Sequence, residues 1–395
     1  MSKLEELIQQ YCPDGVEWKS YYDVCDLIRG ITYNKSQEAK TETEDAHKVL
    51  RANNITLYLN ALNFDDVKLV SKDVVVKPEQ HLYAGDILMC AGSGSKEHVG
   101  KVAYIFQDMD YTFGGFMAVV RCKKTTLSRY MFHILASHFF TSHLETQINS
   151  STINNINRQV MQSFVFPVPP LPVQEEIVRI LDNFTELQTE LQTELQKRLQ
   201  QYNYYLDNLL SFNRGGGYQA EVRWMKMSEV CNSICSGKNR IKNPNGKYPV
   251  FGSTGIISYC DNYAFDKTQI LVARVGANAG YVQIADNKYD VSDNTLIIDV
   301  KHDFNLKYVY YILGYTNLNK YAKGGGQPLI TAGELKRIVV PIPTSSEQNR
   351  IVSILDRFDR LTNDLSSGLP AEIEKRRQQY EYYRDKLLTF KRKAA

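Results

Sequence analysis

The chain has 395 residues, enough for two to four domains at roughly 100–200 residues each. Its apolar and charged fractions, 43 % and 23 %, exclude general disorder, and a net charge of only +3 excludes a chain that grips polyanions over its whole surface. No apolar run approaches the ~18 residues of a membrane span, and the first residues lack the basic flank and apolar centre of a secretion signal. Seven scattered cysteines without a CxxC pair suit a reducing compartment, so the expected location is cytoplasmic.

Residues 1–166 read as a first globular domain behind a short amphipathic helix. DVVVKP, GDILMCAG, GKVAYIFQ and GGFMAVVRC are short β-type runs bounded by turn residues. The spacing predicts a helix over Ser128–Phe140. His133, His138 and His143 recur every five residues, which rotates successive rings by ~140° on a helix. They are expected to be core or surface residues and not a shared metal site. Residues 167–212 follow, with Ile177, Leu181, Phe184, Leu187, Leu191, Leu195, Leu199, Tyr202, Leu206 and Leu209 spaced by three or four. TELQTELQTELQKRLQ within them is made of good helix formers. A helix from about 173 to 212 would be ~60 Å long.

Residues 213–345 repeat the pattern of short strands (KYPVFG, QILVARVG, GYVQIAD, NTLIIDV) followed by a helical stretch at Leu306–Leu318. Residues 346–395 form a second stripe: Ile351, Leu355, Phe358, Leu361, Leu365, Ile373, Tyr380, Tyr383 and Leu387. SSGLP interrupts it, where Gly368 and Pro370 break or kink the helix, and four extra residues act as a stutter that keeps the stripe.

An internal duplication underlies this order. Pro167/Pro341, Pro169/Pro343, Gln174/Gln348, Ile177/Ile351, Leu181/Leu355, Asp182/Asp356 and Phe184/Phe358 match at a constant offset of 174. QQYNYYLDNLLSF at Gln200–Phe212 matches QQYEYYRDKLLTF at Gln378–Phe390 at an offset of 178. Trp18 and Cys25 are echoed by Trp224 and Cys231, and Ile87-Leu88 by Ile270-Leu271. A long helix with one apolar stripe needs a partner. Residues 167–212 carry a net charge of −4 and residues 346–395 of +3, which favours pairing of the two copies. Ile177, Leu181, Phe184, Leu191, Leu195, Leu199, Ile351, Leu355, Phe358 and Leu361 are the expected pairing or partner-docking residues. The expected architecture is α+β: two diverged α/β domains separated by two long antiparallel, coiled-coil-like helices about a pseudo-two-fold.

Catalytic signatures are missing: no Walker loop, no FxGxG, no NPPY or DPPY, no GxSxG elbow. Binding chemistry concentrates in loops instead. Residues 213–345 carry 16 basic and 10 acidic side chains, residues 13–166 carry 16 and 17. The second domain offers Ser236, Lys238, Asn239, Arg240 and Lys242, then Arg274 and Asn278, then Lys323 and Gln327. The corresponding first-domain loops offer Arg29, Asn34 and Lys35, then Ser93, Ser95 and Lys96, then Asn154, Asn155 and Arg158. Glycines in these loops admit close backbone approach, while Arg, Lys, Asn and Gln pair with base edges and phosphates.

On YCPDGVEWK, the repeated P-x-P…Q-x-x-I-V-x-I-L-D-x-F segments, the QQY-x-YY-x-D-x-LL-x-F endings and phrases such as FGSTGIISYCDNY, the chain resembles the specificity subunit of type I restriction–modification enzymes. The resemblance implies a non-catalytic subunit whose two globular domains are target-recognition domains, each reading half of a split double-stranded DNA sequence. It implies helices that space them and dock two methyltransferase subunits, and restriction subunits as further partners. No cofactor is expected on this chain: AdoMet belongs to the methyltransferase subunits, ATP and Mg to the restriction subunits. A coiled-coil interaction scaffold and a stand-alone DNA-modifying enzyme are the competing readings.

Overall fold

The computed structural model describes residues 2–39, 46–56, 60–148, 155–212, 221–239, 243, 245–324, 327–364 and 366–394. They divide into two compact units, residues 1–193 with 372–395, and residues 194–371.

Unit 1 opens with α1 (Lys3–Tyr11), β1 (Trp18–Ser20), the one-turn helix α2 (Tyr21–Val24) and β2 (Cys25–Arg29). There follow β3 (Ala46–Leu50), β4 (Lys68–Ser71), β5 (His81–Leu82), β6 (Ile87–Cys90), β7 (Val102–Tyr104), β8 (Met109–Phe113) and β9 (Met117–Cys122). Then come α3 (Ser128–Leu135), α4 (His138–Ile148), α5 (Arg158–Gln162), β10 (Val165–Pro167) and the 40-residue helix α6 (Leu171–Leu210), whose residues from Glu194 belong to unit 2. The strands form sheets β2-β9-β6-β7 and β4-β3-β8-β5 and a ribbon β1-β10; β3 and β8 are parallel and all other pairs antiparallel.

Unit 2 contains β11 (Arg223–Lys226), α7 (Met227–Val230), β12 (Cys231–Ser236), β13 (Tyr248–Gly252), β14 (Gly255–Cys260), β15 (Phe265–Asp266), β16 (Gln269–Ala273), β17 (Val282–Ala285), β18 (Lys288–Val291) and β19 (Thr295–Val300). It ends with α8 (Leu306–Tyr315), α9 (Ala332–Arg337), β20 (Val339–Ile342) and α10 (Ser345–Asn363). Its sheets, β12-β19-β16-β17 and β14-β13-β18-β15 with ribbon β11-β20, reproduce the order of unit 1, including one parallel pair, β13 with β18. The last helix, α11 (Leu369–Leu387), lies in unit 1 from Glu372 onward. Beyond it the chain pairs with the start of unit 1, Val16 N donating to Lys391 O (2.9 Å) and Lys393 N to Val16 O (3.0 Å).

The repeated residues at the start of each long helix lock it to its own unit, through α3 in unit 1 and α8 in unit 2. Tyr130 of α3 donates to Pro167 O (3.0 Å), and Tyr308 of α8 donates to Pro341 O (2.8 Å). Gln174 donates to Pro169 O (2.7 Å) and accepts from Leu127 N (2.9 Å), while Gln348 donates to Pro343 O (2.9 Å) and accepts from Asn305 N (2.9 Å). Both glutamines are buried, so each satisfies a carbonyl and a helix-terminal amide that would otherwise be orphaned. Asp182 accepts from Arg129 Nε (2.7 Å) and His133 Nε2 (2.9 Å); Asp356 accepts from Lys307 Nζ (2.5 Å) and Tyr311 OH (2.7 Å). Because the Asp182 carboxylate only accepts, His133 holds its proton on Nε2 and receives the Tyr380 hydroxyl on Nδ1 (3.0 Å). Burial pushes the His133 pKa down to about 4 despite Asp182 beside it.

Ile177 and Leu181 are buried in the unit 1 core and Ile351 and Leu355 in that of unit 2, so the early turns of each stripe face the domains. Aromatic exchange follows one turn on. Phe184 stacks on Tyr383 (centroids 5.4 Å apart) in unit 1, and Phe358 lies against Tyr205 (5.1 Å) in unit 2. Each phenylalanine of one copy thus meets the tyrosine of the other copy. Leu191, Leu195 and Leu199 are half-buried.

The second stripe departs from expectation at two points. Leu361 is exposed, and Thr362 takes the buried position. At 100° per residue Thr362 lies within ~20° of Leu355, whereas two successive three-residue steps carry Leu361 ~120° away. The helix does break at the expected interruption, but the four extra residues make a full stop and not a stutter. α10 ends at Asn363, and the Asp364 carboxylate caps the turn by accepting from Ser366 N (2.7 Å), Ser366 Oγ (2.6 Å) and Ser367 Oγ. A Cβ on Gly368 would stand 2.6 Å from Arg360 O, so this turn requires glycine. Pro370 sits where a helix start lacks an amide partner anyway. Leu365 lies outside the described residues. The stretch Ser128–Phe140 is likewise two helices, broken at Ala136–Ser137.

Candidate nucleic-acid interface

In each unit three loops meet at one crossing, where the two four-stranded sheets exchange chain. In unit 1, Gly30 N donates to Met117 O (3.2 Å), Ile31 N to Phe113 O (2.8 Å), Ala91 N and Gly92 N both to Phe116 O (2.9 Å each), and Ile156 N to Ala91 O (2.7 Å). In unit 2, Gly237 N donates to Thr295 O (2.9 Å), Arg274 N to Asn294 O (2.9 Å) and Ile330 N to Arg274 O (2.9 Å). A Cβ on Gly30 would lie 2.2 Å from Phe113 O, and one on Gly237 2.3 Å from Ser292 O, so both crossings demand glycine. The equivalences follow: Arg29 with Ser236, Ala91 with Arg274, Phe116 with Asn294, Asn155 with Leu329.

An arginine fills each crossing, but from opposite sides. In unit 1 it comes from β2: the Arg29 guanidinium donates to Asn155 Oδ1 (3.2 Å) and to Ile156 O. Burial holds its pKa below the ordinary arginine value. In unit 2 it comes from the loop after β16: Arg274 Nη1 donates to Ser236 Oγ (3.3 Å) and to Asp293 O (3.4 Å). Arg274 Nε, Ser292 Oγ and Thr295 Oγ1 are buried without partners in this same region.

Around the unit 1 crossing, Ser93 is half-buried and Ser95 and Lys96 are exposed on the loop that Gly92 joins to Asn155 by a bridge. Arg158 is exposed and its guanidinium lies 5.3 Å over the Tyr22 ring. Asn34 and Lys35, also exposed, lie farther along the connection toward β4, past the Ile31–Gly114 bridge and before the Glu38–Val70 bridge. Around the unit 2 crossing, Lys323 and Gln327 belong to the segment that pairs with Val275 through Leu329. Lys323 is bound to Glu334 (2.9 Å), and that contact holds the Glu334 carboxyl down to about 2. Lys238 is exposed; Asn239 is tied to Asp290 (2.6 Å). Asn278 sits on the β16–β17 turn at the mouth of a groove lined by Tyr202, Leu206, Tyr281 and Tyr310. Asn154, Arg240 and Lys242 lie outside the described residues.

Sequence reading missed the apex of each crossing. Phe116, 73 % exposed, and Asn294, exposed at the equivalent turn, stand beside the arginines. The phrase FGGFMAVVR held the signal, because a large apolar residue beside a glycine pair marks a turn that something else covers. The three histidines do not converge: His133 meets Asp182 and Tyr380, His138 meets Ser142, His143 meets Val160 O. Among the described residues no cluster of His, Cys, Asp and Glu could hold a metal ion, and no helix is long and apolar enough to cross a membrane.

Comparison with known proteins agrees with this duplicated plan. The sequence matches the profile of the type I restriction modification DNA specificity domain twice, over residues 13–201 and 221–375. It is 35 % identical over 252 residues to the type I restriction enzyme EcoR124I/EcoR124II specificity subunit of Escherichia coli, covering 57 % of this chain and 61 % of that protein. It is 28 % identical to a putative type I restriction enzyme specificity subunit of Haemophilus influenzae, covering 98 % of both. The fold superimposes on the crystal structure of a type I restriction-modification S subunit from M. genitalium with a TM-score of 0.60 at 15 % identity, over 95 % of this chain and 96 % of that one. The crossings, the doubled topology and the twice-matched profile give one conclusion: the chain belongs to the family of type I restriction–modification DNA specificity subunits.

Proposed function

We propose that this chain directs methyltransferase and restriction subunits to a bipartite, asymmetric site on double-stranded DNA. Residues 1–166 and 213–345 act as the two target-recognition domains, and residues 167–212 and 346–395 set the unread spacer and dock two methyltransferase subunits. AdoMet is held by those subunits, and ATP and Mg by the restriction subunits; this chain supplies address and not chemistry, in the cytoplasm. The observation that carries the reading is the pair of equivalent crossings, alike in their backbone hydrogen bonds and different in side chains. Equal scaffolds meet equal groove faces, which recur every ~34–36 Å along DNA, and unequal side chains there read unequal bases. Loop cations such as Lys96, Lys238 and Arg158 take phosphates and fix register, while Arg29, Asn155, Phe116, Arg274 and Asn294 stand where base edges would pass.

Genome-wide mapping of methylated adenines, in cells holding the methyltransferase with and without this chain, tests the proposal. The expected result is a two-part motif with an unread gap that appears only with the chain. Methylation that is unchanged without it, or a contiguous motif, would overturn the reading.

A further inference from the structure

Two thiols lie side by side in unit 1, away from the crossing. Cys25 opens β2, Cys122 closes β9, and the antiparallel register sets them opposite each other. Lys123 N donates to Val24 O (2.8 Å), which makes the cysteines a non-hydrogen-bonded pair, the position where facing Cα atoms stand ~4.5 Å apart and side chains approach most closely. That separation falls within the ~4.4–6.8 Å that a disulfide accepts. The two Sγ atoms are 3.1 Å apart. Cys25 is buried and Cys122 half-buried, so a small oxidant meets Cys122 first and finds Cys25 behind it. The same register position in unit 2 pairs Cys231 with Val300, so the dithiol belongs to unit 1 alone.

We propose that Cys25 and Cys122 form an oxidisable dithiol that peroxide closes to a disulfide. Cys122, as thiolate, attacks one peroxide oxygen; the O–O bond breaks, and the departing hydroxide leaves as water with the proton the thiol released. Cys122 is then a sulfenic acid. The Cys25 sulfur attacks it, the S–S bond forms as the S–O bond breaks, and the second hydroxide departs as water with the Cys25 proton. Two thiols lose two electrons and two protons, and hydrogen peroxide becomes two waters. The hydrogen bond to Cys122 and burial both hold Cys25 protonated, which suits the resolving role. An added thiol reverses the bond by exchange. The link joins β2 to β9, whose opposite ends carry Arg29 and the Phe116 turn.

The test treats the full chain with hydrogen peroxide, alkylates the remaining thiols and maps cysteines by mass spectrometry. Cys235, exposed, reports how far a lone thiol reacts. The expected product is a Cys25–Cys122 cross-linked peptide that dithiothreitol removes and that is missing in Cys122→Val, the residue unit 2 carries at this position. In Cys25→Ser the expected product is a dimedone-labelled Cys122, since the sulfenic acid has no resolving partner. Peroxide doses that convert Cys235 but leave Cys25 and Cys122 as free thiols would overturn the proposal, as would a link from Cys122 to any other cysteine.

Discussion

Unit 1 and unit 2 share topology and helix docking, yet they solve the same local problems with different side chains. Arg29 on β2 fills one crossing, and Arg274 after β16 fills the other. In unit 1 Arg121 of β9 binds Asp86 (2.7 Å), whereas at the same strand end unit 2 sets Asp299 against Lys267 (3.0 Å). His133 binds Asp182 where Tyr311 binds Asp356. By contrast, Gln174 and Gln348, Tyr130 and Tyr308, and the exchanged Phe–Tyr pairs have kept both identity and geometry. Divergence is greatest at the loops and least where each long helix docks. That is the pattern the proposed function predicts, with a frame for identical partners and tips for two different half-sites.

The shared frame is broken hardest at the glutamines. Gln174→Leu and Gln348→Leu each strand a buried carbonyl and a helix-terminal amide, at a cost of about 2–5 kcal/mol in denaturant unfolding. Equal losses support the equivalence; a loss confined to one of them breaks it. His133 should come next, and only in unit 1. The unfolded histidine takes a proton below its ordinary ~6.5, the folded one only near 4, so the unfolded state binds more protons between those values. Stability contributed by neutral His133 is therefore fully present above ~6.5 and is lost as pH falls toward 4, on the order of 3 kcal/mol. The expected outcome is that His133→Gln flattens the acid limb of the stability–pH curve, while Tyr311→Phe leaves its slope unchanged.

A smaller effect sharpens the contrast at the crossings. Arg29→Ser removes hydrogen bonds from a half-buried guanidinium and is expected to cost about 2 kcal/mol. Adding Ala91→Arg transplants the arrangement of unit 2 and should recover more than half of that loss in a double-mutant cycle. The smallest effect concerns salt. Lys238→Ala should lower the slope of log K against log salt by about one for cognate DNA, since one phosphate contact is lost, whereas Asn34→Ala leaves it unchanged.

Much of the frame was legible because helix docking writes itself into sequence as fixed offsets. The Pro–Gln–Asp–Phe series at offset 174 named the residues that lock α6 and α10, and the offset of 178 named the exchanged tyrosines. What the stripe could not separate was burial against a domain from burial against another helix: Ile177 and Ile351 carry the same period as Phe184 and Phe358. Leu361 misled because spacing by three drifts in phase, and only cumulative rotation shows that Thr362 faces inward. At the loops, the sequence named most of the segments that meet at the crossings, but not the contacts they make there. Nothing local reveals that Arg29 and Arg274 fill matching crossings from non-equivalent positions, because the correspondence passes through backbone hydrogen bonds between residues far apart in the chain.

The proposed spacing of two independent readers is most directly open to test through the TELQ repeats at Thr185–Gln196 of α6. Removing one repeat shortens the helix by ~6 Å and turns it by ~40°. Mapping methylated adenines in cells carrying that variant should return both half-sites unchanged, with the unread gap shorter by about one or two base pairs, given ~10 base pairs per ~34 Å turn. A functional variant that keeps the original gap would contradict the account.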